Sequence, residues 1–173
     1  MPNEQRKKEI SEESLQVELA GIRLNNPVLT ASGTFGYGLE YSPFVDLNRL
    51  GGIVVKGLSS EPRLGNPPPR LMETPAGLLN SIGLQNIGVK AFLREKLPQL
   101  KKFKTKIFVN IFGNTLEEYR AIAKELDGVE GISALEANIS CPNVKAGGML
   151  FGSDPKATYE VVSEVRKNTT LPL

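Results

Sequence analysis

The sequence predicts an α/β fold built on a parallel sheet, and three observations carry that expectation. Short apolar runs of strand length alternate with helix-length amphipathic stretches, the runs are continuous rather than alternating, and each gives way to a polar residue. Continuous β-branched runs suit strands buried on both faces, as in parallel sheets covered by helices. Strand and helix in alternation are the signature of βα units.

In chain order, residues 1–14 form a polar, charged tail without an apolar stretch, so neither a secretory signal nor a membrane anchor is expected there. Leu15 to Leu24 alternates around Ala20-Gly21 and reads as a short β-hairpin. Pro27 to Ala31 is the first buried-type strand and opens into the glycine-rich loop Ser32-Gly-Thr-Phe-Gly-Tyr-Gly38. That loop has the wrong glycine order for a dinucleotide fingerprint. Residues 40–50 read as a short helix, and Gly51-Gly-Ile-Val-Val-Lys56 as the second strand. Residues 57–85, with Pro67, Pro68 and Pro69, read as a long loop, and loops of that length are usually functional.

Residues 89–102 have a helical pattern that Pro98 is expected to break. Lys106-Ile-Phe-Val-Asn110 is the third strand, and Asn114 caps a helix reaching Leu126 with Leu116, Tyr119, Ala123 and Leu126 on its apolar side. Ile132 to Asn138 is the fourth strand. Ser153-Asp-Pro starts a last helix whose apolar face is Tyr159, Val162 and Val165.

Composition narrows the chemistry. The chain has 173 residues, 40% hydrophobic and 23% charged, as in ordinary globular domains. Its net charge is 21 − 19 = +2, so no nucleic-acid footprint stands out, and the basic cluster from Arg94 to Lys106 reads as a solvated face. No run is long enough to span a bilayer, and a cytoplasmic location is the expectation. There is one cysteine and no histidine, which removes an intramolecular disulfide, a Cys/His zinc site and every histidine-dependent triad.

The polar strand ends are the candidate site. Ser32 follows the first strand, Lys56 ends the second, Asn110 the third and Asn138 the fourth. In a (β/α)8 barrel the carboxyl ends of the strands form the active-site face, so these side chains would converge. Cys141 stands on the adjoining loop. A lone cysteine is more often a small buried hydrophobe, but its thiolate is a base and nucleophile. A fixed cation, amides for a planar heterocycle and a thiol base suit proton abstraction coupled to electron transfer into a cofactor better than hydrolysis.

Four segments then carry a family resemblance: Asn138-Ile-Ser-Cys-Pro-Asn143, Asn80-Ser-Ile-Gly-Leu-Gln-Asn86, Val55-Lys-Gly57 and Pro69-Arg-Leu-Met-Glu-Thr-Pro75. From about Leu15 onward the chain resembles class 1 dihydroorotate dehydrogenases, most nearly the catalytic subunit of the NAD-dependent type 1B. The resemblance implies FMN-dependent oxidation of dihydroorotate to orotate in pyrimidine synthesis. Cys141 would take the C5 proton while hydride passes from C6 to the flavin. Ser32, Lys56, Gly57, Asn110 and Asn138 would contact FMN. Lys56, Asn80, Ser81, Ile82, Gly83, Leu84, Asn138 and Asn143 would hold the substrate. It further implies an oligomer and a partner subunit carrying FAD and a 2Fe-2S iron-sulfur cluster.

A complete (β/α)8 TIM barrel needs about 250 residues. The expectation is therefore the N-terminal half of one, with four βα units after the hairpin and residues 15–173 as a partial flavin-binding domain. Two alternatives stay open, another flavin-dependent barrel oxidoreductase of the dihydropyrimidine dehydrogenase kind and a non-catalytic fragment. As half of a barrel the chain would lack the phosphate site of the later strands, and the family activity is expected to need the absent half.

Overall fold

The computed structural model describes residues 15–140 and 151–173. Its centre is a parallel sheet of β3 (Gly52–Leu58), β6 (Lys106–Ile111) and β7 (Ala134–Ala137), in the order β3-β6-β7. Before it, β1 (Val17–Leu19) pairs antiparallel with β2 (Ile22–Leu24). Between β3 and β6, β4 (Leu71–Thr74) pairs antiparallel with β5 (Gly77–Asn80). Helical segments follow each strand of the sheet: α1 (Gly88–Ala91) and α2 (Leu97–Leu100) after β3, α3 (Leu116–Leu126) after β6, and α4 (Pro155–Arg166) after β7.

Side-chain alternation explains why the sheet has two different faces. Ile53, Val55, Ile107, Val109 and Leu135 point outward into the main core, where Phe92, Leu100, Tyr119, Ile122, Val161 and Val165 from the helices cover them. Fully burying one such side chain contributes about 1.5–3 kcal/mol. On the other face Val54, Phe108 and Ala134 form a second cluster with Leu24, packed by Ile22 and Leu29. Two residues further along each strand, the same face turns polar at Lys56, Asn110 and Glu136. The β1-β2 ribbon thus closes the amino-terminal end of the inner face, and the polar layer lies at the carboxyl end.

Several expectations need correcting. The first expected strand, residues 27–31, forms an isolated parallel bridge of Leu29 to Gly52 rather than a ladder, with Thr30 N–H donating to Gly52 O at 3.3 Å and Thr30 Oγ1 accepting from Val54 N at 2.9 Å. Pro27 brings no donor, and the chain turns at Ser32. The sheet among the described residues therefore has three strands, not four. The expected helix at 40–50 is two 3-10 turns, Leu39–Tyr41 and Leu47–Arg49. The long loop 57–85 contains the β4-β5 ribbon.

Pro98 does not break its helix. Residues 88–100 stay helical because a π-helical stretch, Phe92–Lys96, intervenes and leaves Pro98 in the first turn of α2, where no donor is needed. The cap of α3 is Thr115, whose hydroxyl accepts from Glu118 N at 3.3 Å, while Asn114 N donates to the Glu118 carboxylate at 2.7 Å. In α4 the buried pair is Val161 and Val165. Tyr159 is 73% exposed and Val162 38%, so the apolar face is narrower than the sequence suggested.

Asp127 ties the end of α3 to the end of the chain. Its Oδ1 accepts from Thr170 N at 2.6 Å, from Thr169 Oγ1 at 2.9 Å and from Thr170 Oγ1 at 3.0 Å. These bonds, the Thr170 backbone first, hold its carboxyl below the usual carboxylate range. A folded-state pKa below the unfolded value stabilises the protein above the unfolded pKa, and the gain is lost as pH falls through the folded one. Asp127→Asn is expected to lower the urea midpoint at neutral pH, with the variant and parent curves converging in acid. A constant offset at all pH values would contradict this. Among the described residues no helix is long and apolar enough to cross a membrane.

Candidate active site

The carboxyl ends of β3 and β6 open into a cleft of about 320 Å³. Lys56 and Gly57 enter it from β3, Asn110 from β6 and Asn138 from just beyond β7. The glycine-rich loop brings Ser32, with Gly33, Thr34 and Gly36, and the end of the β4-β5 ribbon brings Asn80, Ile82 and Leu84. A second recess of about 270 Å³ continues from Ser32 and Asn110 past Glu136 and Asn138 to Ser140.

Of the residues singled out from the sequence, the structure therefore gathers Ser32, Lys56, Gly57, Asn80, Ile82, Leu84, Asn110 and Asn138 around one cleft. Ser81 and Gly83 do not line it. Ser81 Oγ accepts from Asn66 Nδ2 at 2.7 Å, and a Cβ on Gly83 would lie 2.5 Å from the Asn66 backbone nitrogen. Cys141 and Asn143 lie outside the described residues.

Each wall is held by its own bonds. Lys56 N–H donates to Gly36 O at 2.7 Å, laying the glycine-rich loop across the end of β3. Behind that loop the buried Tyr37 accepts at its hydroxyl from Ile87 N at 3.1 Å. Burial pushes the Tyr37 phenol up, against the lowering effect of the Ile87 bond. Asn138 accepts from Ser140 N at 3.2 Å and Ser140 Oγ at 3.0 Å, while its carbonyl takes the Tyr119 hydroxyl at 2.5 Å. The Lys56 side chain has no hydrogen-bonding or ion-pair partner among the described residues.

Two features point to a ligand. Asn110 is 3% exposed, its Nδ2 donates to Glu136 Oε1 at 2.5 Å and Ser32 Oγ at 3.3 Å, and its Oδ1 is buried without a partner among the described residues. Buried polar atoms are rarely left unpaired, because the desolvation cost is about 1–3 kcal/mol. Gly57 sits opposite: a Cβ there would lie 2.7 Å from Asn110 Oδ1 and 3.2 Å from Phe112. The bare backbone, the unpaired acceptor and the lysine together fit a planar heterocycle that carries donors and negative charge.

The segment after the ribbon is strained. Leu84, which lines the cleft, has φ +56°, a conformation rare for a bulky side chain. Asn86 over-determines it: buried at 5%, it donates to Leu84 O at 2.9 Å and Ser59 Oγ at 2.9 Å, and accepts from Gly88 N at 2.9 Å and Ser59 N at 3.2 Å. Arg70 braces the other side, donating to Leu64 O at 2.8 Å and Gln85 Oε1 at 2.8 Å. Asn86→Ala leaves these groups unpaired and is expected to cost on the order of 2–3 kcal/mol. Proteolysis between residues 80 and 86 should also become faster than global unfolding allows, and protection equal to the parent's would contradict that role.

Sequence reasoning missed Glu136 and Asn66, and it held Arg70 only as part of the segment 69–75, without a role. Glu136 stands two residues before Asn138, and a period of two puts both on one face, so the strand pattern contained its signal. Asn66 and Arg70 act through tertiary bonds across the loop, which no local pattern announces.

The model of a family described as dihydroorotate dehydrogenase matches residues 14–173. The chain is 58% identical over 159 residues to the dihydroorotate dehydrogenase B (NAD(+)) catalytic subunit of Geotalea uraniireducens, covering 92% of this chain and 52% of that protein. It is 59% identical over 159 residues to the protein of the same name from Thermodesulfovibrio yellowstonii, again covering 92% and 52%. The chain thus spans about half the length of the curated relatives it matches. A crystal structure of DHODH in complex with ferulenol from Eimeria tenella superposes with a TM-score of 0.67 at 21% identity, covering 97% of this chain and 46% of the other. That likeness shows the fold.

Proposed function

Because the chain belongs to the dihydroorotate dehydrogenase family, we propose that its cleft is the flavin and substrate site of an enzyme that oxidises dihydroorotate to orotate. The observation that carries this reading is the buried, unpaired Asn110 Oδ1 facing the bare backbone of Gly57 beside Lys56. FMN, when bound, supplies a two-electron acceptor for hydride.

The chain's own residues do the rest. Ser32, Lys56, Gly57, Asn110 and Asn138 hold the heterocycle, with amides matching its donors and acceptors. Lys56 balances the negative charge of the carboxylate or of the reduced ring. Asn80 to Leu84, with Asn138 and Asn143, orient the substrate; within that run Ile82 and Leu84 line the cleft and exclude water, while Ser81 and Gly83 fix the backbone from behind. Cys141 takes the proton at C5, the role open to a thiolate in a chain without histidine. The name of the curated relatives supports a catalytic subunit whose electrons pass to a separate subunit. We infer that this partner carries FAD and a 2Fe-2S cluster.

FMN titration with and without orotate tests the site. The expected result is a saturable change of the visible flavin band, enhanced by orotate but not by uracil. Enhancement by uracil instead would move the reading to a dihydropyrimidine dehydrogenase-like enzyme, and an unperturbed free-flavin spectrum would overturn it.

A further inference from the structure

The polar layer of the inner face holds one carboxylate that the proposed chemistry does not use. Glu136 lies directly across the β6-β7 ladder from Asn110, as its register partner on the same face. Its Oε1 accepts from Asn110 Nδ2 at 2.5 Å. An amide side chain can otherwise be turned end for end, with its oxygen and nitrogen exchanged. Here the reversed orientation would set the Asn110 oxygen against a carboxylate oxygen and lose the bond to Glu136, whereas the Ser32 hydroxyl can meet either end. The carboxylate, which only accepts when ionised, therefore decides which end of the amide faces Gly57.

We propose that Glu136 is a positioning residue that fixes the Asn110 amide with its acceptor turned toward Gly57 at the cleft wall, so that a ligand group seated against Gly57 must be a hydrogen-bond donor. This rests on the flavin reading of the cleft given above. It assigns Glu136 no contact with the reacting atoms. Its effect runs through Asn110, whose Oδ1 is already buried and so is desolvated before the ligand arrives.

A double-mutant cycle with FMN as the probe tests it. Glu136→Gln keeps shape and can bond to either end of the Asn110 amide, so it frees the orientation without emptying the position. In the parent background it is expected to weaken FMN binding about tenfold, the worth of one well-placed hydrogen bond. In an Asn110→Ala background it is expected to change nothing. Equal losses in both backgrounds would overturn the proposal, because Glu136 would then act independently of Asn110.

The Asn110 side-chain amide resonance, followed by ¹⁵N NMR without flavin, gives a second readout. Glu136→Gln should shift it and speed its exchange with water, and an unmoved resonance would overturn the orienting role. Failure of the parent to bind FMN at all would instead overturn the flavin reading. The orienting role would then be judged by the resonance alone.

Discussion

Cys141→Ala is expected to slow reduction of bound flavin by dihydroorotate by about 10²- to 10⁴-fold, the usual cost of removing a general base. That corresponds to roughly 3–5.5 kcal/mol of transition-state stabilisation. The size follows from the lack of a substitute. The chain has no histidine, the cleft offers amides, hydroxyls and Lys56, and the nearby Glu136 carboxylate is engaged by Asn110. Orotate affinity should change far less than the rate, because the role proposed for the thiol is to take a proton rather than to hold the ring. Cys141→Ser should recover little, since a serine hydroxyl is a much weaker acid than a thiol. Rapid-mixing measurement of flavin bleaching checks both variants, and an undiminished rate would remove Cys141 from the reaction.

Gly51→Ala is expected to be the most destabilising single-methyl change. A Cβ at Gly51 would lie 1.9 Å from the Asn26 backbone oxygen. Asn26 cannot easily retreat, because its side chain accepts from Val28 N at 3.0 Å and Gly51 N at 3.1 Å and donates to Arg49 O at 2.8 Å. Forced overpacking costs about 1–3 kcal/mol, and each bond broken to relieve it about 1 more, so a loss of about 4 kcal/mol is expected. At this size that lowers the melting temperature by about 10 °C. The methyl would also displace residues 27–31 from the edge of β3, where Leu29 bridges Gly52, and the adjoining Ser32 from the cleft. A melting temperature within a degree or two of the parent's would show that this edge yields more easily than its bonds suggest.

What could be read from the sequence divides along a physical line. Strands β3 and β6 were legible because buried parallel strands need unbroken apolar runs, β7 because Ile132, Ala134 and Leu135 stay apolar around Ser133, and Lys56, Asn110 and Asn138 because polarity returns where such strands leave the core. The β4-β5 ribbon was not legible. Its apolar residues Leu71, Met72, Leu78 and Leu79 are all more than half exposed, so no buried face imposes an alternation, and three prolines precede it. The turns at residues 39–49 were mistaken for a helix because only Leu47 is deeply buried there and the rest resembles any polar helical surface. The site was legible as a set of polar strand ends. The bonds that orient it were not, since Glu136 to Asn110 and Asn86 to Leu84 depend on which loops and strands meet in space.

The cleft beside Lys56, Gly57 and Asn110 is proposed to bind a flavin that dihydroorotate can reduce. Anaerobic addition of dihydroorotate to the FMN-loaded protein tests it most directly. The expected result is bleaching of the visible flavin band with orotate formed in equal amount. Bound FMN that stays oxidised in the presence of saturating dihydroorotate would contradict it.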